Sequence, residues 1–179
     1  FYYGYIDFVG SQSLLGTDTV VFGNDNTRGS FNSLRVSQTG TTLTIGPNIT
    51  VRGATGGIGY NANLGGVSTV VVINQGTISA DLAGSGITVN GTNWINQGTI
   101  QAKSGGAFSL ISTWTNTGTI SAGAGGSAGS GNLSGTWSNS GALGAASGGT
   151  LNLGGTWSTS AGLTAPSSTV NLSGVLNNA

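Results

Sequence analysis

The chain has 179 residues, enough for one domain with a substantial core, yet only 4% of them are charged, against about a quarter in ordinary globular domains. Four Lys or Arg balance four Asp, so a net charge of zero removes the basic footprint expected of a nucleic-acid binder. No Cys, His, Met or Glu is present, which excludes disulfides, thiolate metal sites and the usual proton shuttles.

A hydrophobic share of 36% with regular apolar spacing argues against charge-driven disorder, and the 35 glycines therefore do not read as a flexible linker. Residues 1–66 hold six of the eight charged residues, Asp7, Asp18, Asp25, Arg28, Arg35 and Arg52. They open on an aromatic cluster, Phe1, Tyr2, Tyr3, Tyr5 and Phe8. Short β-branched segments follow at 19–22, 33–36, 42–45 and 49–51, the pattern of strands punctuated by glycine. This part is expected to form irregular N-terminal rungs or a cap. The aromatic stretch 1–8 either covers the core of its own chain or pairs, as a strand, with the open end of a neighbouring molecule.

Residues 67–179 are regular. Val67 to Ile73 is strand-length, and no run approaches the ~18 apolar residues that a membrane-spanning helix needs. Trp94, Trp114, Trp137 and Trp157 then fall 20, 23 and 20 residues apart, and near-copies of the phrase Ile95-Asn96-Gln97-Gly98-Thr99-Ile100-Gln101-Ala102 follow the first three. An earlier copy after Val72 lacks the tryptophan, and a worn one after Trp157 lacks the asparagine. A unit of about 20 residues cannot fold alone and must stack on copies of itself. Its period is two rather than 3.6: a short strand leading into the tryptophan, a second over Thr-Ile-Ser-Ala, and a glycine-rich connection.

The expected fold is all-β, a right-handed parallel β-helix (β-solenoid) with two or three short strands in each rung of about 20 residues. Stacking in register puts each slot above itself, which predicts an apolar column of Val72, Trp94, Trp114, Trp137, Trp157 and Leu176. A second column holds Ile78, Ile100, Ile120, Leu143 and Leu163, and a third holds alanines from Ala80 to Ala165. Asn74, Asn96, Asn116 and Asn139 form a polar ladder at a corner, where stacked amides donate and accept along the axis and tolerate a left-handed turn. Gly76, Gly98, Gly118 and Gly141 are expected to supply that turn with positive φ. Connections such as 121–131 and 81–86 carry the length variation, on one corner of the surface.

Catalytic chemistry finds no support. Three of the four aspartates are confined to the first third, and Asp81 stands alone in a connection. Asp18 and Asp25 with Arg28 and Arg35 read as structural ion pairs or a solvated turn. No catalytic, cofactor or metal residue is assigned. The glycine-rich stretches lack the aspartates of a calcium repeat and the lysine of a phosphate loop. Asn48, Asn90, Asn132 and Asn171 begin glycosylation sequons, which arise readily by chance in so Asn-, Ser- and Thr-rich a chain.

The Trp-x-Asn-x-Gly-Thr-Ile-x-Ala phrase, carried over residues 72–165, resembles the repeats of filamentous-haemagglutinin-type and autotransporter-passenger adhesins of bacterial surfaces. It is similar also to the long Gly-, Asn- and Thr-rich repeat proteins found there. That resemblance implies a right-handed parallel β-helix, secretion, and a role in adhesion, matrix or surface fibres. It covers about half the chain, and the Asn-Pro-Asn-Gly-Ile secretion motif of such proteins is missing. With no initiator Met or signal peptide at its start, the chain reads as a processed product or an excerpt.

The functional expectation is a non-enzymatic extracellular structural or adhesive module. Its expected partners are copies of itself, stacked head to tail or joined in a longer parent chain, and host or matrix glycans. The alternatives are an ice-binding solenoid or a carbohydrate-binding passenger domain. Ice binding would use outward threonines: Thr77, Thr99 and Thr119, broken at Ala142, or Thr113, Thr136 and Thr156, broken at Asn93.

Overall fold

The computed structural model describes residues 3–23 and 31–177; Phe1, Tyr2, Asp25 and Arg28 lie outside them. The described residues form a β-solenoid of three sheets, and every pairing between their strands is parallel. Each rung gives one strand to each sheet. The first sheet runs Tyr3–Phe8, Phe31–Val36, Gly56–Gly59, Gly86–Asn90, Ala107–Leu110, Ser130–Leu133, Thr150–Leu153 and Thr169–Leu172. The second runs Gln12–Leu14, Thr42–Ile45, Val71–Asn74, Thr92–Asn96, Thr113–Asn116, Thr136–Asn139, Thr156–Thr159 and Val175–Leu176. The third runs Asp18–Phe22, Ile49–Gly53, Thr77–Ala80, Thr99–Ala102, Thr119–Ala122, Ala142–Ala145 and Leu163–Thr164.

Strands of four residues suffice because two alternate side chains of each point inward and the backbone pairs with both neighbouring rungs. Ala107–Leu110 shows the pattern: Phe108 and Leu110 are fully buried, while Ala107 and Ser109 are only partly covered. The segments leading into the tryptophans are not single strands. Ile111 and Ser112 turn the chain between Leu110 and Thr113, with Ser112 at a φ of 76°; Gly135 and Gly155 make the same corner at 87° and 75°. Three sheets per rung, rather than two, follow from this break.

Partners on adjacent rungs stand 28, 24 and 31 residues apart at first, and 19 to 23 in the later rungs. The average is about 23, above the period of about 20 read from the repeats, because the early rungs carry longer connections. All three sheets run unbroken across residue 66, so the irregular first part and the regular remainder belong to one continuous stack. In the long connection after Ala122, the extra residues make a 3-10 turn at Ala124–Gly126.

Two turn expectations are corrected. Asn74, Asn96, Asn116 and Asn139 are the last residues of their strands and do not take a left-handed backbone, and neither do Gly76, Gly98, Gly118 or Gly141. Glycine is required there by close approach. A Cβ on Gly98 would collide with the Gly76 carbonyl one rung back, and a Cβ on Gly118 with the Gly98 carbonyl.

Candidate functional site

The most ordered feature of the molecule is the spine that the tryptophans build. Register pairs Trp94 with Trp114, Trp114 with Trp137, Trp137 with Trp157, and Trp157 with Leu176. Ile95 over Ile73 and Asn96 over Asn74 bring Val72 into the same column below Trp94. The indole rings lie parallel, with centroids 5.1, 4.9 and 5.0 Å apart and interplanar angles of 15°, 5° and 4°. That separation is set by the ~4.8 Å rise between paired strands, so the backbone ladder and the ring stack enforce one another. The first three rings are tied to the rung that follows: Trp94 Nε1 donates to the Ile111 carbonyl at 3.0 Å, Trp114 Nε1 to that of Ser134 at 3.1 Å, and Trp137 Nε1 to that of Gly154 at 2.9 Å.

Beside the spine runs the amide ladder. Asn74 Nδ2 donates to Asn96 Oδ1, Asn96 Nδ2 to Asn116 Oδ1, and Asn116 Nδ2 to Asn139 Oδ1, each at 2.7 Å and fully buried. Every Nδ2 also reaches the carbonyl of the glycine two residues on, so the ladder clamps the corner between the second and third sheets. Thr159 replaces the missing asparagine: its hydroxyl accepts from Asn139 at 3.0 Å and donates to the Ala161 carbonyl at 2.8 Å. At the other end Ile45 lies beneath Asn74, and Asn74 Oδ1 is buried without a partner.

The column of Ile78, Ile100, Ile120, Leu143 and Leu163 is in register, with Ile78, Ile100 and Ile120 almost fully buried. The alanine column holds from Ala80 to Ala145, whereas Ala165 lies beyond the last strand. Leu163 and Leu176 depart from the buried positions expected of them, at 41% and 47% exposed, because no described rung covers them.

Those two leucines belong to an apolar end face with Leu172, and there Trp157 Nε1 is buried with no acceptor. The opposite end exposes Tyr5, Ile6, Val9, Leu15 and Val21. At both ends, the outermost described strands are paired on one edge only. Of the aromatic cluster assigned to assembly, Phe1 and Tyr2 are outside the described residues and only the backbone of Tyr3 is described. That backbone pairs with Phe31, within the chain, as the first strand of the stack. Phe8 is 6% exposed and belongs to the core rather than to an assembly surface, since the inward register of its strand places it beside Val36. Of the cluster's two described side chains, Tyr5 is the exposed one, with the Arg35 guanidinium 5.3 Å from its ring centroid.

Among the described residues, two ion pairs tie adjacent rungs. Arg35 makes a two-pronged contact to Asp7, at 2.7 and 3.2 Å, instead of meeting Asp18. That hydrogen bonding holds the Asp7 carboxyl below its ordinary value and raises Arg35. Asp81, expected to stand alone, accepts from Arg52 Nε at 2.7 Å. Among the described residues, no cluster of three or more acids is placed to hold a metal ion. No described helix is long and apolar enough to cross a membrane. Comparison with family models, curated proteins and solved structures gave no match. The likeness to bacterial surface repeats therefore rests on the repeat phrase itself.

Two outer faces were not legible. On the first sheet, Asn152 Nδ2 donates to Asn132 Oδ1 and Asn171 Nδ2 to Asn152 Oδ1, a second, exposed amide ladder. The common phrase Asn-Leu-Ser/Gly-Gly at 20- and 19-residue spacing was its signal. On the second sheet, a bulge at Asn93, with a φ of 55°, lets Thr92 rather than Asn93 pair with Thr113. The threonine column expected to break there instead continues through Thr92, Thr113, Thr136 and Thr156.

Proposed function

We propose that this chain is a non-enzymatic structural and adhesive module of an extracellular bacterial surface fibre. The observation that carries this reading is the pair of apolar end faces with half-paired strands, joined by a spine whose bonds run along the axis. Unpaired strand edges template further strands, and a chain with so few charges opposes stacking little. The axis then continues either through further rungs of a longer chain or through other copies, a heterologous contact that builds filaments rather than closed rings. The resemblance of the repeat phrase to surface adhesins supports the location and the adhesive role. Negative-stain microscopy after concentration tests the self-assembly: filaments one solenoid wide are expected, and dispersed short particles at every concentration would contradict it.

A second reading is favoured by the bulge at Asn93. The second sheet presents Thr92, Thr113, Thr136 and Thr156 with Thr115, Ser138 and Ser158 beside them, a neutral hydroxyl array repeating at the rung spacing. Such an array suits an ordered water lattice, as in an ice-binding surface. Thermal hysteresis in a freezing assay would support it, and its absence would remove it.

A further inference from the structure

The longest rung interrupts the regular outer face of the first sheet. Its strand, Gly56–Gly59, pairs with Phe31–Val36 on one side and Gly86–Asn90 on the other, and Gly57 falls in the outward column between Ser33 and Thr88. Where neighbouring rungs carry a hydroxyl, this one carries nothing. The chain after Gly59 then leaves the sheet and returns over the gap as the loop 60–70, leaving an open groove of about 230 Å3 floored by Gly56 and Gly57. Its walls include Thr55, Tyr60, Asn61, Thr88, Asn90 and Ile111.

The loop is fastened down. Tyr60 N–H donates to the Asn90 carbonyl at 3.0 Å, and Leu64 N–H to the Asn61 carbonyl at 3.1 Å. Arg35, already held by Asp7, donates from Nη1 to the Leu64 carbonyl at 2.7 Å. Two amides on the walls have their oxygens engaged: Asn61 Oδ1 accepts from Asn63 N–H at 3.0 Å and Asn90 Oδ1 accepts from the Ser112 hydroxyl at 2.7 Å. That fixes which way each amide points and leaves its Nδ2 as the group available to donate. Asn61 Nδ2 lies directly over the floor, 3.0 Å from where a Cβ of Gly57 would sit.

We infer that this groove binds one uncharged sugar unit of a neutral polysaccharide or glycan. Every wall residue is neutral, and Arg35, the cation that anchors the loop, is committed to Asp7 and to the Leu64 carbonyl. Anionic ligands therefore find no counter-charge. Amide and hydroxyl groups match the alternating donors and acceptors of sugar hydroxyls, while Tyr60 and Ile111 offer apolar surface to the C–H faces of a pyranose ring. The volume is below the ~300–1,000 Å3 of pockets for drug-sized ligands, so the groove takes a single unit of a chain that continues beyond it. A pinned loop lowers the ordering cost of binding. The inference supplies a partner class to the adhesive reading and rests on that reading only for the expectation that a partner exists.

The test is binding of the intact chain to an array of neutral oligosaccharides (glucans, mannans, galactans and N-acetylhexosamine oligomers) beside uronic-acid oligomers, followed by calorimetry on any hit. Gly57→Thr restores the hydroxyl of the regular column and narrows the groove; the nearest atoms to its new Cβ belong to the Asn61 side chain, the closest at 3.0 Å, and circular dichroism checks that the fold is retained. Neutral oligomers are expected to bind, and Gly57→Thr and Asn61→Ala each to weaken binding about tenfold or more, as for losing a neutral hydrogen bond or two. Microscopy of the same variants should show unchanged assembly, which separates this site from the filament contacts. No binding of neutral sugars, preference for the uronates, or binding indifferent to Gly57→Thr would each overturn the proposal.

Discussion

At the residue scale, the amide ladder shows how a buried polar group is made tolerable in so narrow an interior. Each asparagine is both donor and acceptor, so an interior member leaves nothing unsatisfied along the axis, and only the ends pose a problem. Thr159 solves it at one end, because a hydroxyl accepts from Asn139 and passes its proton to a carbonyl. Ile45 cannot do so for Asn74 Oδ1. Replacing Asn96 with Ala orphans a donor on Asn74 and an acceptor on Asn116, and should cost about 2–5 kcal/mol in urea unfolding. Ile45→Thr, by contrast, places a hydroxyl under Asn74 Oδ1 and should cost clearly less than Val51→Thr, a buried position with no such acceptor above it. The Asp7 carboxyl, lowered by its hydrogen bonds from Arg35, adds stability that is present above its unfolded pKa of ~3.9 and lost as pH falls through the folded value. The pair is partly exposed and so worth under about 1 kcal/mol; an acid titration of stability should lose that increment below about pH 4 in the native chain and not in Asp7→Asn. The asparagine column could be read from spacing, but its conformation could not. Spacing says which residues stack, whereas a strand end and a left-handed turn differ only in dihedrals that either sequence allows.

At the element scale, the four-residue strand is too short to be stable alone and takes its position from the strands above and below. This makes the tryptophan rungs the best fixed part of the solenoid and predicts a gradient along the spine. Trp114→Ala should cost about 3–5 kcal/mol, the usual loss for a large buried aromatic, since its ring is stacked on both faces and its Nε1 is bonded. Trp157→Ala should cost less, because its ring has an indole on one face only and its Nε1 has no acceptor to lose. Equal losses on thermal denaturation would count against the axial stack. The repeats made the slots of Val72, Trp94, Trp114, Trp137 and Trp157 legible because identical residues at one spacing must superimpose. The bulge at Asn93 was not, since it depends on a positive φ at a residue that is not glycine and has no copy; the corner before the tryptophan was masked by Ser112, although Gly135 and Gly155 hold it in the later rungs. Spacing alone therefore breaks the threonine column at Asn93 and runs two strands together before the tryptophan.

At the scale of the whole molecule, the core is a column rather than a closed globule, and a column has ends. Interior members such as Ile100 and Leu151 are sealed by neighbouring rungs, whereas Leu163, Leu172 and Leu176, with no described rung above them, are 41%, 67% and 47% exposed. The repeat predicted this solenoid but not the groove beside Gly57, because that feature lies in the longest and least repetitive rung, where there is no copy to compare. The proposed end-to-end association rests on the exposed faces, so the most direct test is sedimentation velocity over a wide concentration range, on the native chain and on a Leu172→Lys, Leu176→Lys variant. Both residues are already exposed, so the substitutions should leave the circular dichroism spectrum unchanged. The native chain is expected to sediment as species that grow with concentration, and the variant as a single small one. A native chain that stays monomeric throughout, or a variant that assembles as well as the native chain, would contradict the account.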